Sequence, residues 1–191
     1  VMFNRGQEGE AISSVTSANH KGGREVANYL LSCGHQRIGH ISGWAGSSTG
    51  RDRQAGFCEA LAENGITPHI IDGMYDRETA AAAAQTMMEG VNPPDAIFVG
   101  NDHMAFAVLD TLRHEMGLDV PGDVAIVGYD DVPLAAWPAY NLTTMRQPVN
   151  RMVEATVEAL ISRIDDPSQP TQLIEIESPL IARGTTKGPK T

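Results

Sequence analysis

The pattern of apolar and polar positions divides the chain into strand-like and helix-like stretches. Residues 37–42 read as a strand running into a glycine-rich loop. Residues 53–64 place Phe57 and Leu61 on one face and meet Gly65 just past their end, the mark of a helix with a glycine stop. Residues 69–72 form a second strand pattern, and 78–89 an alanine-rich stretch of high helix propensity. The short apolar run at 96–99 fits a strand buried on both faces of a parallel sheet. Residues 102–116 carry Ala105, Val108, Leu109, Leu112 and Met116 at helical spacing. After a turn at Val120-Pro121-Gly122-Asp123, residues 124–127 give a fourth strand that ends at Gly128-Tyr129-Asp130-Asp131. An earlier helix over 21–31 carries Val26, Tyr29, Leu30 and Cys33. These strands recur at intervals of about 27 to 32 residues, the size of a βα unit. Alternating β and α predicts a doubly wound α/β fold on a parallel sheet.

The last fifty residues change character. Residues 150–164 form an amphipathic helix pattern, with Met152, Val153, Thr156, Val157, Leu160, Ile161 and Ile164 on one stripe, stopped by Asp165-Asp166-Pro167. Residues 173–177 alternate apolar and acidic, as a strand with one solvated face does, and 184–191 read as a polar tail.

At 191 residues the chain can bury a sizeable core. No apolar run approaches the roughly 18 residues that a membrane helix needs. Residues 1–5 do not read as a secretion leader, so a cytoplasmic location is expected. The formal net charge of −10 argues against direct contact between this chain and nucleic-acid phosphates. Cys33 and Cys58 sit in apolar helical patterns and are expected to be reduced core thiols.

In an open parallel sheet, ligands sit beyond the carboxyl ends of the strands. This sequence places there Gly43 to Arg53, then Gly73-Met74-Tyr75, then Gly100-Asn101-Asp102-His103, then Tyr129-Asp130-Asp131. Hydroxyls, guanidiniums, an amide, carboxylates and aromatic rings together suit a small, neutral, hydroxyl-rich ligand. Each residue also has a plainer role open to it. Asp102 can cap a helix, Asp131 can hold its loop, Arg51 and Arg53 can be solvated, and Trp44 can pack within its loop. Catalytic templates fit poorly. A phosphate-loop lysine, a GxGxxG, a nucleophile elbow and an HExxH are all missing, and His35 and His40 lack metal-ligand spacing. Neither a catalytic residue, a metal nor a cofactor is expected, and the chain does not read as an enzyme.

Several stretches, in order, resemble the effector-binding domain of the lac repressor (LacI/GalR) family of transcriptional regulators. They are Gly34-His35-Gln36-Arg37-Ile38, Arg53-Gln54-Ala55-Gly56-Phe57, the run from Pro94 to Ala105, the run from Val120 to Asp131, and Leu142 to Pro148. The resemblance implies a periplasmic binding protein-like type I fold, with two doubly wound lobes joined by three crossovers around an effector cleft. It divides this chain into a first-lobe remnant at 1–17, a complete second lobe at 18–143, a returning first-lobe segment at 144–173, and the last second-lobe strand with its tail at 174–191. The first lobe is then partial, and the 150–164 helix is expected to be either mobile or covered by another copy.

By the same resemblance Arg53 clamps ligand hydroxyls and Asp130 is its partner carboxylate. Asn101 is an amide at the cleft wall, Tyr75 an aromatic packing position, Ser47 and Thr49 loop contacts, and Gln147 a crossover residue near the cleft. Ala18, in Ala18-Asn19-His20-Lys21-Gly22-Gly23, stands where members often carry Asp, and so removes one contact. The implied function is an effector-sensing and dimerising region of a bacterial regulator. Its small-molecule effector would be a sugar or sugar derivative. DNA would be reached only through a helix-turn-helix domain outside this chain, as a homodimer and away from any membrane. The alternatives are a periplasmic-type sugar-binding protein and an α/β enzyme acting on a sugar.

Overall fold

The computed structural model describes residues 1–5 and 12–189. The stretches 6–11 of the expected first-lobe remnant and 190–191 of the expected tail lie outside the described residues. The chain runs β1 (Met2–Phe3), β2 (Ser14–Ser17), α1 (Asn19–Ser32), β3 (Ile38–Ser42), α2 (Ser48–Ala62), β4 (His69–Asp72), α3 (Arg77–Met88), β5 (Ala96–Val99), α4 (Asp102–Asp110), β6 (Ala125–Asp130), β7 (Thr143–Arg146), α5 (Val149–Asp165), β8 (Leu173–Ile176) and β9 (Leu180–Ile181). A π-helical turn at Thr111–Glu115 prolongs α4, so the helix expected to reach Met116 widens in its last turn.

Two sheets form. The larger has the order β4-β3-β5-β6-β7-β9, parallel throughout except for β9, which runs antiparallel to β7. The smaller, β1-β2-β8, is parallel. The chain passes between them three times, after β2, after β7 and after β8.

β5 shows why the larger sheet is covered on both faces. Its four residues are buried and alternate. Ile97 and Val99 join Ile41, Met87, Met104 and Leu109 under α3 and α4. Ala96 and Phe98 join Leu30, Phe57, Leu61 and Tyr129 under α1 and α2. Contact between α1 and α2 depends on two glycines. A Cβ on Gly23 would strike the Arg53 carbonyl, and one on Gly56 the His20 carbonyl. The two backbones therefore approach within reach of each other, which fixes where Arg53 leaves α2.

Three readings of the sequence need correction here. β7 belongs to the larger sheet, so the lobe boundary expected between residues 143 and 144 falls beyond Arg146. Leu173–Ile176 is not the last strand of the second lobe. It pairs with β2, because Ile174 and Ile176 pack with Val15 and Met152 on the small sheet, and β9 takes the edge position instead. Finally, α2 starts at Ser48 rather than Arg53. Its first turn carries buried Gly50, where an added Cβ would lie 3.0 Å from the Tyr75 hydroxyl.

Only Met152 is buried on α5. Val153, Val157, Leu160, Ile161 and Ile164 are exposed along the stripe that the sequence marks.

Candidate functional site

The carboxyl ends of β3, β4, β5 and β6 converge with the β1 end of the small sheet around a cleft of about 270 Å³. Arg53 lies at its floor, 3% exposed. Its Nε donates to Asn19 Oδ1 at 2.9 Å, Nη1 to the Gly100 carbonyl at 2.7 Å, and Nη2 to Asp130 Oδ1 at 3.4 Å. The guanidinium carbon stands 3.6 Å from the centre of the Tyr129 ring, a cation–π arrangement. Asn19 is itself fixed. Its amide nitrogen donates to Thr16 Oγ1 and the Ser17 carbonyl, and its oxygen also accepts from Ser17 Oγ.

Asp130 ends β6 with φ 121°, and Asp131 comes next with φ 56°. Both lie in the left-handed region that residues with a Cβ avoid. The surroundings enforce this. Gln147 Nε2 donates to Asp130 Oδ1 at 2.7 Å, while Arg146 and Arg183 hold the two oxygens of Asp131 at 2.6 and 2.7 Å. Backbone of this kind persists only where neighbours over-determine it, and it gathers at ligand sites.

The turn after β4 shows the same feature. Met74 and Tyr75 have φ 56° and 58°, and Asp72 Oδ1 accepts from the Met74 amide at 2.8 Å. This geometry lays the Tyr75 ring against Gly43, where no side chain would fit. The Tyr75 hydroxyl is buried with no partner among the described residues. Asn101 caps α4 by accepting from the Met104 amide at 2.9 Å, which leaves its amide nitrogen at the cleft wall. Asp102, read as a possible cap, is therefore not the cap.

Six of the seven residues singled out from the sequence line this one cleft: Arg53, Asp130, Asn101, Tyr75, Thr49 and Gln147. Ser47 does not. It is buried 2.8 Å from the Thr49 hydroxyl and reaches the cleft only through it. Ala18 also lies outside this lining.

Sequence reasoning missed three residues. Asn19 orients Arg53, and its only signal was its place beside the Gly22-Gly23 pair. Asn4 and Arg5 close the cleft from the small sheet, where two strand residues gave no pattern to read. Arg5 Nη1 donates to Thr49 Oγ1 at 3.4 Å, and buried Asn4 Oδ1 has no partner among the described residues.

His40, under the floor, is a core residue. Its ring stacks on Phe98 at 4.7 Å, Nδ1 donates to the Phe98 carbonyl, and burial lowers its pKa to about 4. Among the described residues no group of three or more His, Cys, Asp or Glu could hold a metal ion, and no helix is long and apolar enough to cross a membrane.

A doubly wound sheet, a second small sheet reached by three crossovers, and a polar cleft between them define a periplasmic binding protein-like domain. Residues 27–186 match the family of that description. The HTH-type transcriptional repressor PurR of Photobacterium profundum is 34% identical over 190 residues, covering 98% of this chain and 57% of that repressor. A LacI transcriptional regulator from a Rhodococcus species superposes with a TM-score of 0.90 at 31% identity, covering 98% of this chain and 69% of that one. The transcriptional regulator CelR, solved as a cellobiose complex, gives 0.88 at 30% identity over 96% and 57% of the two chains. The chain belongs to the LacI family of transcriptional regulators, within its effector-binding domain. It spans little more than half the length of the curated repressors it matches.

Proposed function

We propose that the cleft senses a small hydroxyl-rich effector, a sugar or sugar derivative, and that it binds rather than catalyses. The observation that carries this is the fixed, buried guanidinium of Arg53 on the floor of a polar cleft. Arg53 presents hydrogen-bond donors to ligand hydroxyls, and Asp130 accepts from them. The Asn101 amide nitrogen and the Thr49 hydroxyl supply further polar contacts. Ser47 orients Thr49, and Gln147 steadies Asp130. Tyr75 offers a ring face to ligand C–H groups. A relative at 30% identity was solved with cellobiose, which supports this ligand class.

In this reading the effector draws the small-sheet side, with Asn4 and Arg5, onto the floor. It can shift the arrangement of the lobes only by binding one arrangement better than the other. That shift would be passed, in a cytoplasmic homodimer, to a DNA-binding segment outside this chain.

The test is a thermal-shift and calorimetric screen of monosaccharides, disaccharides and sugar acids, cellobiose among them. A binder raises the melting temperature by mass action, and the gain should vanish in Arg53→Lys and in Asp130→Asn. Unchanged affinity in both variants would refute the assignment.

A further inference from the structure

Asp102 opens α4 without capping it, and its carboxylate is fully buried. Oδ2 accepts from the Val132 amide at 2.9 Å, and Oδ1 from Thr144 Oγ1 at 2.6 Å. Gly128 stands where a Cβ would collide with Oδ1, so β6 gives way to the carboxylate as it crosses. One side chain thus ties the start of α4, the loop after β6 and the strand β7 together. The loop it holds is the left-handed pair Asp130-Asp131, which brings Asp130 into the cleft. Residues with a Cβ keep such a backbone only while neighbours restrain it. Val132, anchored by Asp102, is the next residue along.

We propose that Asp102 is a positioning residue for the cleft: its carboxylate holds the Asp130–Val132 loop, and a proton gained there loosens Asp130 and weakens effector binding. The second half rests on the reading of the cleft as an effector site. The first half does not.

The charged groups facing Asp102 are Asp130 and Asp131, both on the loop it holds. Asp130 is countered by Arg53 from α2, and Asp131 by Arg146 from β7 and Arg183 from the C-terminal segment. From α3, Arg77 reaches the His103 carbonyl at the start of α4. β5 brings only apolar side chains. Burial, against the pull of the Thr144 and Val132 donors and aided by the two neighbouring carboxylates, lifts the Asp102 pKa to about 7. The proton is therefore exchanged near neutrality. Taking it up turns charge-assisted hydrogen bonds into neutral, weaker ones. The ionised form holds the loop better, so affinity rises as pH passes upward through about 7. By reciprocity, bound effector lowers the Asp102 pKa.

The experiment follows amide signals in ¹H–¹⁵N spectra between pH 5 and 9. The Val132 and Asp130 amides and the Arg53 Nε–H should move together with one midpoint near 7. They should stay still in Asp102→Asn, which keeps the size and an acceptor for Val132. Thr144→Val, which removes a donor to the carboxylate, should move the midpoint up. Signals that do not titrate, or that titrate equally in Asp102→Asn, overturn the proposal. Cellobiose serves as the ligand probe, with its Kd expected to be about fivefold weaker at pH 5.5 than at 8.5 in the parent protein and flat in Asp102→Asn. A parent Kd independent of pH overturns the coupling. Cellobiose that binds at no pH while the loop still titrates counts against the sugar reading and leaves the loop-holding role standing.

Discussion

Asp102 and His40 are both buried under the cleft floor, and burial drives their titrations apart in opposite senses. His40 has its pKa lowered from 6.5 to about 4. The unfolded chain takes up the His40 proton first, so this residue costs stability as pH falls from 6.5 towards 4. Asp102 has its pKa raised from 3.8 to about 7. Here the folded state holds the proton more tightly, so stability is full below pH 3.8 and is lost as pH rises through about 7. At 1.36 kcal/mol per pH unit of displacement, the two effects are worth about 3 and about 4 kcal/mol respectively. Over the mildly acidic range they oppose each other, and the parent protein should show little net dependence from this pair. Replacing Asp102 with Asn removes one partner. The stability of Asp102→Asn relative to the parent should then grow by about 4 kcal/mol between pH 4 and pH 8. Exposed carboxylates cancel in this difference, because both proteins carry them. Urea unfolding at intervals across that range, with a common slope, measures it directly. Two profiles that run parallel within 1 kcal/mol would refute the claim that burial sets the protonation of Asp102.

Four further outcomes follow from the same contacts. Arg53→Lys keeps the charge and loses the planar fork, leaving the Gly100 carbonyl or Asp130 without its donor; calorimetry should find effector binding lost and denaturation a stability loss of about 1–3 kcal/mol. Asn19→Ala removes the acceptor for Arg53 Nε from outside the cleft lining, so affinity should fall severalfold in titrations although the variant touches no ligand. Gly56→Ala pushes a methyl group into the His20 carbonyl, and thermal unfolding should show a loss of about 1–3 kcal/mol as α1 and α2 separate. Ile161→Glu falls on the exposed face of α5, so the melting curve of this chain should move by less than about 0.5 kcal/mol; a larger loss would mean that the stripe is covered.

The sequence disclosed most where one residue's environment decides its pattern. Ala96–Val99 is buried on both faces, and its uninterrupted apolar run gave its bounds directly. His69–Asp72 was equally legible from its flanking turns. β7 was not, because Thr143 and Thr144 are buried by hydrogen bonding rather than by apolar character. Thr143 Oγ1 meets the Arg183 backbone and Thr186, and Thr144 meets Asp102. Leu173–Ile176 was legible as a strand but not as a member of the small sheet, since alternation states which face is buried and not which neighbour buries it. At the cleft, Arg53 and Asp130 stood out among the residues after strands, and the family resemblance supplied their roles. Asn19 was missed because its work is a hydrogen bond to another side chain, 34 residues along the chain.

The floor and the facing wall of the cleft differ in how they are held, and this bears on how a ligand could act. Arg53 and Asp130 are fixed from several directions before any ligand arrives, by Asn19, Gly100, Gln147 and the Tyr129 ring. Such preorganisation lowers the ordering cost of binding. It also means that the floor has little freedom left to report occupancy. The facing wall is different. Arg5 reaches Thr49 through a bond of 3.4 Å, and Asn4 Oδ1 is buried without a partner among the described residues. A ligand that bridges the Arg5 side and the floor gains free energy from that wall only when the small sheet is seated over the floor. On this reading the floor supplies affinity and the Asn4–Arg5 wall supplies the difference between the two lobe arrangements, which is the quantity a sensor needs.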